Sequence, residues 1–353
     1  MRAWEKNIRK VEPYVPGEQP KQKDIIKLNT NENPYPPAPG VVKALESIDV
    51  ERFKLYSDPT SADLVNAVAD FHGVDSEQVF VGVGSDDVIS LAFMTFFNSD
   101  KPVLFPDITY SFYNVWADVH RIPYEEIALD EDFKINPCDY AKPNGGVIFP
   151  NPNAPTSIYL PLEAVEEIIK ANQDVIVIVD EAYIDFGGES AIKLLDKYEN
   201  LLVVQTFSKS RSMAGMRIGY AIGSRELIKA MNDVKYSINS YTMNYPSIVL
   251  GSEAVKDREY FENTVNKIIS TRESFCEKIS ELGFVFPKSS ANFVFATHPR
   301  FCAKELFEAL KKANIYVRYF AKPRIDNYLR ITVGTDEEME ALYQFLKEYV
   351  SDK

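Results

Sequence analysis

The sequence predicts an α/β fold: a large domain on a mostly parallel, doubly wound sheet, with a smaller α+β domain after it. Three observations predict it. Short apolar runs of strand length recur at Val79-Phe80-Val81, Val103-Leu104-Phe105, Gly146-Val147-Ile148-Phe149, Val175-Ile176-Val177-Ile178-Val179 and Leu201-Leu202-Val203-Val204. Such continuous runs mark strands covered on both faces. Segments with helical spacing alternate with them, and beyond Ile222 the alternation gives way to long helical stretches and grouped strands.

Residues 1–40 hold seven prolines (Pro13, Pro16, Pro20, Pro34, Pro36, Pro37 and Pro39) and the polar run Asn29-Thr30-Asn31-Glu32-Asn33. They read as an extended arm. Tyr14, Ile25, Ile26 and Leu28 give that arm something to bury, so it is expected to pack. Tyr56-Ser57-Asp58-Pro59 is a turn, with Asp58 or Thr60 as cap of a helix whose apolar face carries Leu64, Val65, Val68 and Phe71. After the first strand, Gly82-Val83-Gly84 leads into Ser85-Asp86-Asp87 and an apolar helix. A glycine turn at a helix N-terminus offers free amides to an anion. A dinucleotide fingerprint would need a third glycine where Asp87 stands.

The second strand leads into Asp107-Ile108-Thr109-Tyr110-Ser111. There Tyr110 can either stack on a flat heterocycle or pack on the adjacent helix. The third strand ends in the proline-rich turn Pro150-Asn151-Pro152-Asn153-Ala154-Pro155-Thr156, before a helix marked by Leu162, Val165, Ile168 and Ile169. Further on, the spacing predicts a helical region from about Ile248 to Leu282 and strands at Phe293-Val294-Phe295, Ile315-Tyr316-Val317 and Leu329–Val333. Helices are expected around Leu306 and Leu310 and at the end. The expected division is an arm over 1–40, a large domain over 41–245 and a small domain over 246–353.

Composition excludes several functions. A formal net charge of −13 disfavours nucleic acid, whose phosphates need a basic face, and disfavours an anionic membrane surface. An anionic substrate must be caught by a few local cations. The three cysteines (Cys138, Cys276, Cys302) and three histidines (His72, His120, His298) are scattered. They suggest neither disulfides nor a metal site. No apolar run approaches the roughly 20 residues of a membrane span. The first residues lack the apolar core of a signal peptide, so a cytoplasmic location is expected.

The chemistry concentrates at two strand ends. One delivers Asp180-Glu181-Ala182-Tyr183 and the other Thr206-Phe207-Ser208-Lys209-Ser210-Arg211, with Arg217 close behind. Open α/β sheets bind ligands at the carboxyl ends of their strands. A lysine amine there can form a Schiff base with a carbonyl compound, while hydroxyls and a guanidinium hold its phosphate. Pyridoxal phosphate accounts for the set. Lys209 would bond its aldehyde and later act as general base and acid. Asp180 would keep the ring nitrogen protonated, and Tyr183 would donate to the ring oxygen.

The chain resembles the fold-type I pyridoxal-phosphate aminotransferases, and among them the histidinol-phosphate aminotransferase branch. The residues that carry the likeness run nearly end to end. They are Glu12–Glu18, Lys27-Leu28-Asn29-Thr30-Asn31-Glu32-Asn33-Pro34, Tyr56-Ser57-Asp58-Pro59, Gly84-Ser85-Asp86, Asp107–Ser111, Asp180–Tyr183, Ser208-Lys209 with Arg217, and Leu329–Thr335.

The resemblance implies roles at matching positions. The amides of Ser85 and Asp86, with Thr206, Ser208 and Arg217, would hold the cofactor phosphate, and Tyr110 would stack on the ring. Tyr56 would reach the phosphate across a homodimer interface, and the arm would pack on the small domain and the partner. Arg330 would take an α-carboxylate, and Arg318 with Tyr14 a substrate phosphate. The implied reaction is histidinol phosphate with 2-oxoglutarate, giving imidazole acetol phosphate and glutamate.

Two departures stand out. Ala154 occupies the place before Pro-Thr where many relatives have an asparagine for the ring oxygen, leaving Tyr183 alone or aided by Asn153. Val83 replaces a polar residue between the glycines. Three alternatives stay open: a threonine-phosphate decarboxylase, an aromatic amino acid aminotransferase and, on the glycine turn alone, a nucleotide-binding protein without covalent chemistry.

Overall fold

The computed structural model describes residues 2–22 and 24–352. The arm is packed: β1 (Ile26–Lys27) pairs in parallel with β10 (Ile315–Tyr316), and Leu28 is buried in the C-terminal core. Then come α1 (Pro39–Glu46) and α2 (Ala62–His72). The N-cap of α2 is Ser61, not Asp58 or Thr60, and its side chain makes no cap bond; Asp58, three residues earlier, accepts the Ala62 N–H at 2.8 Å.

The large sheet has seven strands: β2 (Val79–Gly82), β3 (Val103–Pro106), β4 (Tyr124–Ile127), β5 (Gly146–Pro150), β6 (Val177–Asp180), β7 (Leu201–Thr206) and β8 (Gly219–Gly223). Their order is β2-β8-β7-β6-β5-β3-β4. Only β8 runs antiparallel to its neighbours. Two of these strands lack the apolar runs that mark the others. In β4, Tyr124-Glu125-Glu126 are exposed along a sheet edge. β8 begins and ends in glycine, and its small residues fit between two neighbours.

Side chains alternate across the sheet. Ile178, Leu202 and Val204 face α3 (Ser85–Phe96), α4 (Tyr113–His120) and α6 (Arg225–Ile238) in one core. Val177, Val179, Leu201 and Val203 face α5 (Leu162–Ala171) in another. Asp180 shares the parity of Ile178, so it points towards α4. That parity puts an acid beneath the mouth of the sheet.

The helical region expected from Ile248 to Leu282 is two helices, α7 (Tyr245–Lys256) and α8 (Arg258–Glu281). Asp257 separates them: its carboxylate accepts the Tyr260 N–H at 3.1 Å and starts α8. By its contacts α7 belongs with α1 and α2, whereas α8 packs on α10 (Asp336–Ser351). The remaining elements are β9 (Phe293–Ala296), α9 (Ala303–Lys312), β11 (Arg318–Tyr319) and β12 (Leu329–Thr332). The antiparallel sheet β11-β12-β9 lies over the C-terminal core. Among the described residues no helix is long and apolar enough to cross a membrane.

Candidate active site

Two adjoining cavities lie beyond the carboxyl ends of β5, β6 and β7. The inner one, about 170 Å³, is lined by Ser85, Asp86, Tyr110, Asp180, Tyr183, Thr206, Ser208, Lys209 and Arg217, with Thr30, Glu32 and Ala154 among the others. The outer one, about 130 Å³, shares Thr30, Tyr110, Ala154, Tyr183 and Lys209, and adds Tyr14, Arg318, Phe320 and Arg330. Twelve of the thirteen residues that the sequence singled out therefore line one continuous space. The exception is Tyr56. It is 84% exposed and stacks on Tyr241 at 4.5 Å, away from both cavities.

The floor of the inner cavity is acidic. Asp180 is buried, its Oδ2 accepting the Tyr113 hydroxyl at 2.8 Å and its Oδ1 the Ala182 N–H at 3.2 Å. Burial lifts its carboxyl to about 6, and those two hydrogen bonds oppose the lift by favouring the anion. A buried carboxylate aimed into a cavity can stabilise a protonated ring nitrogen. Lys209 projects from the adjacent strand end, and its Nζ donates to the Thr30 carbonyl at 3.0 Å. The amine also lies 5.7 Å from the centre of the Tyr183 ring.

One end of the inner cavity is an anion cradle. Gly84 precedes α3 with φ of +86°, and a Cβ there would lie 2.5 Å from an Arg217 guanidinium nitrogen. The glycine thus provides both the turn and the room for Arg217. The first amides of α3, at Ser85 and Asp86, have no carbonyl partner within a helix. Thr206 Oγ1 and Ser208 Oγ are 3.0 Å apart, and Arg217 reaches Ser208 Oγ at 3.5 Å. The Asp86 carboxylate accepts from Tyr110 at 2.8 Å and pairs with Arg217 at 3.2 Å. These contacts fix the Tyr110 ring and the guanidinium. Amides, two hydroxyls and a guanidinium together suit a phosphate monoester. With the lysine and the acid they fit a phosphorylated pyridine aldehyde.

The outer cavity is cationic. Arg330 donates to the Asn29 carbonyl at 3.0 Å, but its Nε is buried with no hydrogen-bond partner. A buried guanidinium with an open donor suits an incoming carboxylate. Burial lowers the Arg330 pKa, and the nearby Arg318 lowers it further. Arg318 reaches back to the Val15 carbonyl at 3.3 Å, beside Tyr14, which stacks on Phe112 at 4.1 Å. The arm thus forms a wall of this cavity.

The Asn153 amide does not turn towards the cavity. It donates to the Ile108 carbonyl at 3.0 Å and to Thr156 at 2.9 Å, which bracing holds the turn. That turn contains two cis peptide bonds, Asn151–Pro152 and Ala154–Pro155. Val83 gives its N–H to Asp87 at 2.9 Å, so Asp87 ties down the glycine turn. Sequence reasoning missed Tyr113, Thr30, Glu32 and the part played by Asn31. Tyr113 comes three positions after Tyr110, a spacing that could have linked the two.

Residues 23–346 match the family described as aminotransferase class I and II. The chain belongs to that family. It is an aminotransferase, and its similarity to named relatives extends over its whole length. It is 52% identical over 351 residues to histidinol-phosphate aminotransferase 2 of Dechloromonas aromatica (strain RCB), covering 98% of this chain and 99% of the relative. It is 50% identical to the histidinol-phosphate aminotransferase of Lactococcus lactis subsp. lactis (strain IL1403), covering 99% and 97%. The fold matches that of the histidinol-phosphate aminotransferase from Sinorhizobium meliloti, solved in complex with pyridoxal-5'-phosphate. There the TM-score is 0.85 at 22% identity, over 93% of this chain and 91% of the other.

Proposed function

We propose that this aminotransferase uses pyridoxal 5'-phosphate to move an amino group between histidinol phosphate and 2-oxoglutarate, giving imidazole acetol phosphate and glutamate by a ping-pong reaction in histidine biosynthesis. One observation carries the proposal: an amine, Lys209, and a buried acid, Asp180, face one cavity that ends in an anion cradle and opens into a chamber with two guanidiniums. Similarity of about half the residues to histidinol-phosphate aminotransferases over the full length supports the choice of substrate.

The cofactor supplies an aldehyde to carry the amino group and a protonated ring that draws electrons from the substrate Cα. The residues supply the rest. Ser85, Asp86, Thr206, Ser208 and Arg217 would hold the phosphate, and Tyr110 would lie against the ring. Asp180 would hold the proton on the ring nitrogen, and Tyr183 would donate to the ring oxygen. Lys209 Nζ would take the proton from the substrate Cα, acting first as general base and then as general acid. Its contact with the Thr30 carbonyl keeps the freed amine beside the reacting atoms. Arg330 takes the α-carboxylate of glutamate, while Arg318 and Tyr14 take the phosphate of histidinol phosphate.

The working unit is a homodimer. Tyr56 is exposed, and so are Leu45, Val50, Phe53 and Leu55 close to it in sequence. This supports its contribution to the phosphate site of a second copy. The packing of α7 supports a division between large and small domains at the α7–α8 junction instead of at 245. A cytoplasmic location accords with the free cysteines.

The test is a substrate panel with 2-oxoglutarate as acceptor. Histidinol phosphate is expected to give the highest kcat/KM, well above phenylalanine and other aromatic amino acids. Equal use of phenylalanine, or carbon dioxide released from threonine phosphate without a keto acid, would overturn the assignment.

A further inference from the structure

The ring-oxygen end of the inner cavity is thinly furnished. Ala154 brings no polar side-chain atom, and the Asn153 amide is committed to Ile108 and Thr156. Tyr183 is the hydroxyl there, and its state depends on a residue of the arm. Asn31 Nδ2 donates to Tyr183 Oη at 2.9 Å. A phenol oxygen that accepts this hydrogen bond keeps its own proton free for another acceptor.

Asn31 can fill this place because it is held on every side. Its backbone has φ of +57°, a left-handed conformation that asparagine tolerates better than most residues. Its N–H donates to Thr332 Oγ1 at 3.0 Å, and its Oδ1 accepts from Thr332 Oγ1 at 3.1 Å. Its carbonyl accepts from Asn292 Nδ2 at 3.0 Å. With the Thr332 hydroxyl donating to Oδ1, Nδ2 is left for Tyr183. The rings of Tyr183 and Phe293 meet edge to face with centroids 5.0 Å apart, which restrains the phenol.

We propose that Asn31 is a positioning residue for the cofactor: by donating to Tyr183 Oη it turns the phenol proton into the cavity, towards the ring oxygen that Ala154 cannot serve. This rests on the pyridoxal-phosphate reading above. It assigns to the arm a task at the ring oxygen, and links cofactor binding to the order of the arm. Thr332 on β12 and Asn292 just before β9 then act on the cofactor through Asn31.

The test uses Asn31→Gly, which keeps the left-handed backbone without strain, alone and with Tyr183→Phe. Apo-protein is titrated with pyridoxal phosphate, and the visible absorbance of the loaded protein is followed against pH. Asn31→Gly is expected to weaken cofactor binding about fivefold, the size of one ordinary hydrogen bond. It should also move the absorbance transition to higher pH, because a ring oxygen with a weaker donor holds its proton longer. In the Tyr183→Phe background the same substitution should change neither quantity. Equal effects in both backgrounds, or no effect in the native one, would refute the proposal. If native protein fails to bind the cofactor at all, the cofactor reading itself falls, a separate outcome. Unfolding curves for each variant separate these results from loss of fold. Asn31→Ser, which keeps a donor hydroxyl, should recover part of the absorbance shift.

Discussion

Replacing Tyr113 by phenylalanine removes one oxygen and tests the role of the buried acid. That oxygen donates to Asp180 Oδ2 at 2.8 Å in a fully buried setting, so solvent screening does not discount it. A hydrogen bond to a charged group contributes about 2 kcal/mol. At 1.36 kcal/mol per unit, its loss raises the Asp180 pKa by about 1.5 units. The carboxyl then moves from about 6 to roughly 7.5. At pH 7 the ionised fraction of the apo-protein falls from about nine-tenths to about one quarter. Only the ionised acid pairs with a protonated ring nitrogen. Cofactor affinity of Tyr113→Phe should therefore be about fourfold weaker at pH 7 and return to the native value by about pH 9. Equilibrium titration of apo-protein by fluorescence quenching at several pH values measures this. A loss of equal size at pH 7 and pH 9 would mean that Tyr113 acts through shape alone, and the electrostatic reasoning would be refuted.

Three further outcomes follow from the same geometry. Gly84→Ala puts a Cβ 2.5 Å from the Arg217 guanidinium at a left-handed φ, and should weaken cofactor binding about tenfold or more in the same titration. Arg318→Gln should raise KM for histidinol phosphate by about tenfold to thirtyfold while the half-reaction with glutamate changes less than about threefold, as stopped-flow absorbance will record. Burial lifts Asp180 to about 6 and Glu181 to about 7. Both groups keep protons in the folded state that the unfolded chain has released, so their contribution to stability falls as pH rises through this range and is retained only below about pH 4. Asp180→Asn apo-protein should lose less stability than native protein between pH 5 and pH 8, by about 1.5 kcal/mol in urea unfolding.

Much of the site was legible because the sheet makes it so. Apolar runs ending abruptly in Asp180 and in Thr206–Lys209 announce strands that deliver polar groups at their carboxyl ends, and the two strands are neighbours in register. The glycine turn before Ser85 was legible for the same reason: a strand, a turn and a helix follow without interruption. Other parts were hidden by distance or by double duty. Asn31 meets Tyr183 across 152 positions of sequence, and nothing local in the arm signals it. Tyr113 is a core aromatic by every local measure, packed among Phe105 and Trp116, and only its hydroxyl reaches Asp180. Strand β8 escaped notice because glycine and alanine at a close antiparallel crossing do not form an apolar run. A Cβ on Gly219 would collide with the backbone of Gly84 and Ser85, so this strand must be small for the anion turn to sit where it does.

The role of the amine at the end of β7 is tested most directly by fixing the cofactor where it binds. Holo-protein reduced with borohydride and digested should carry the pyridoxyl mass on a single peptide, at Lys209, and the native protein should lose all transamination in the process. A label on any other lysine, or full activity retained in Lys209→Ala, would contradict the account.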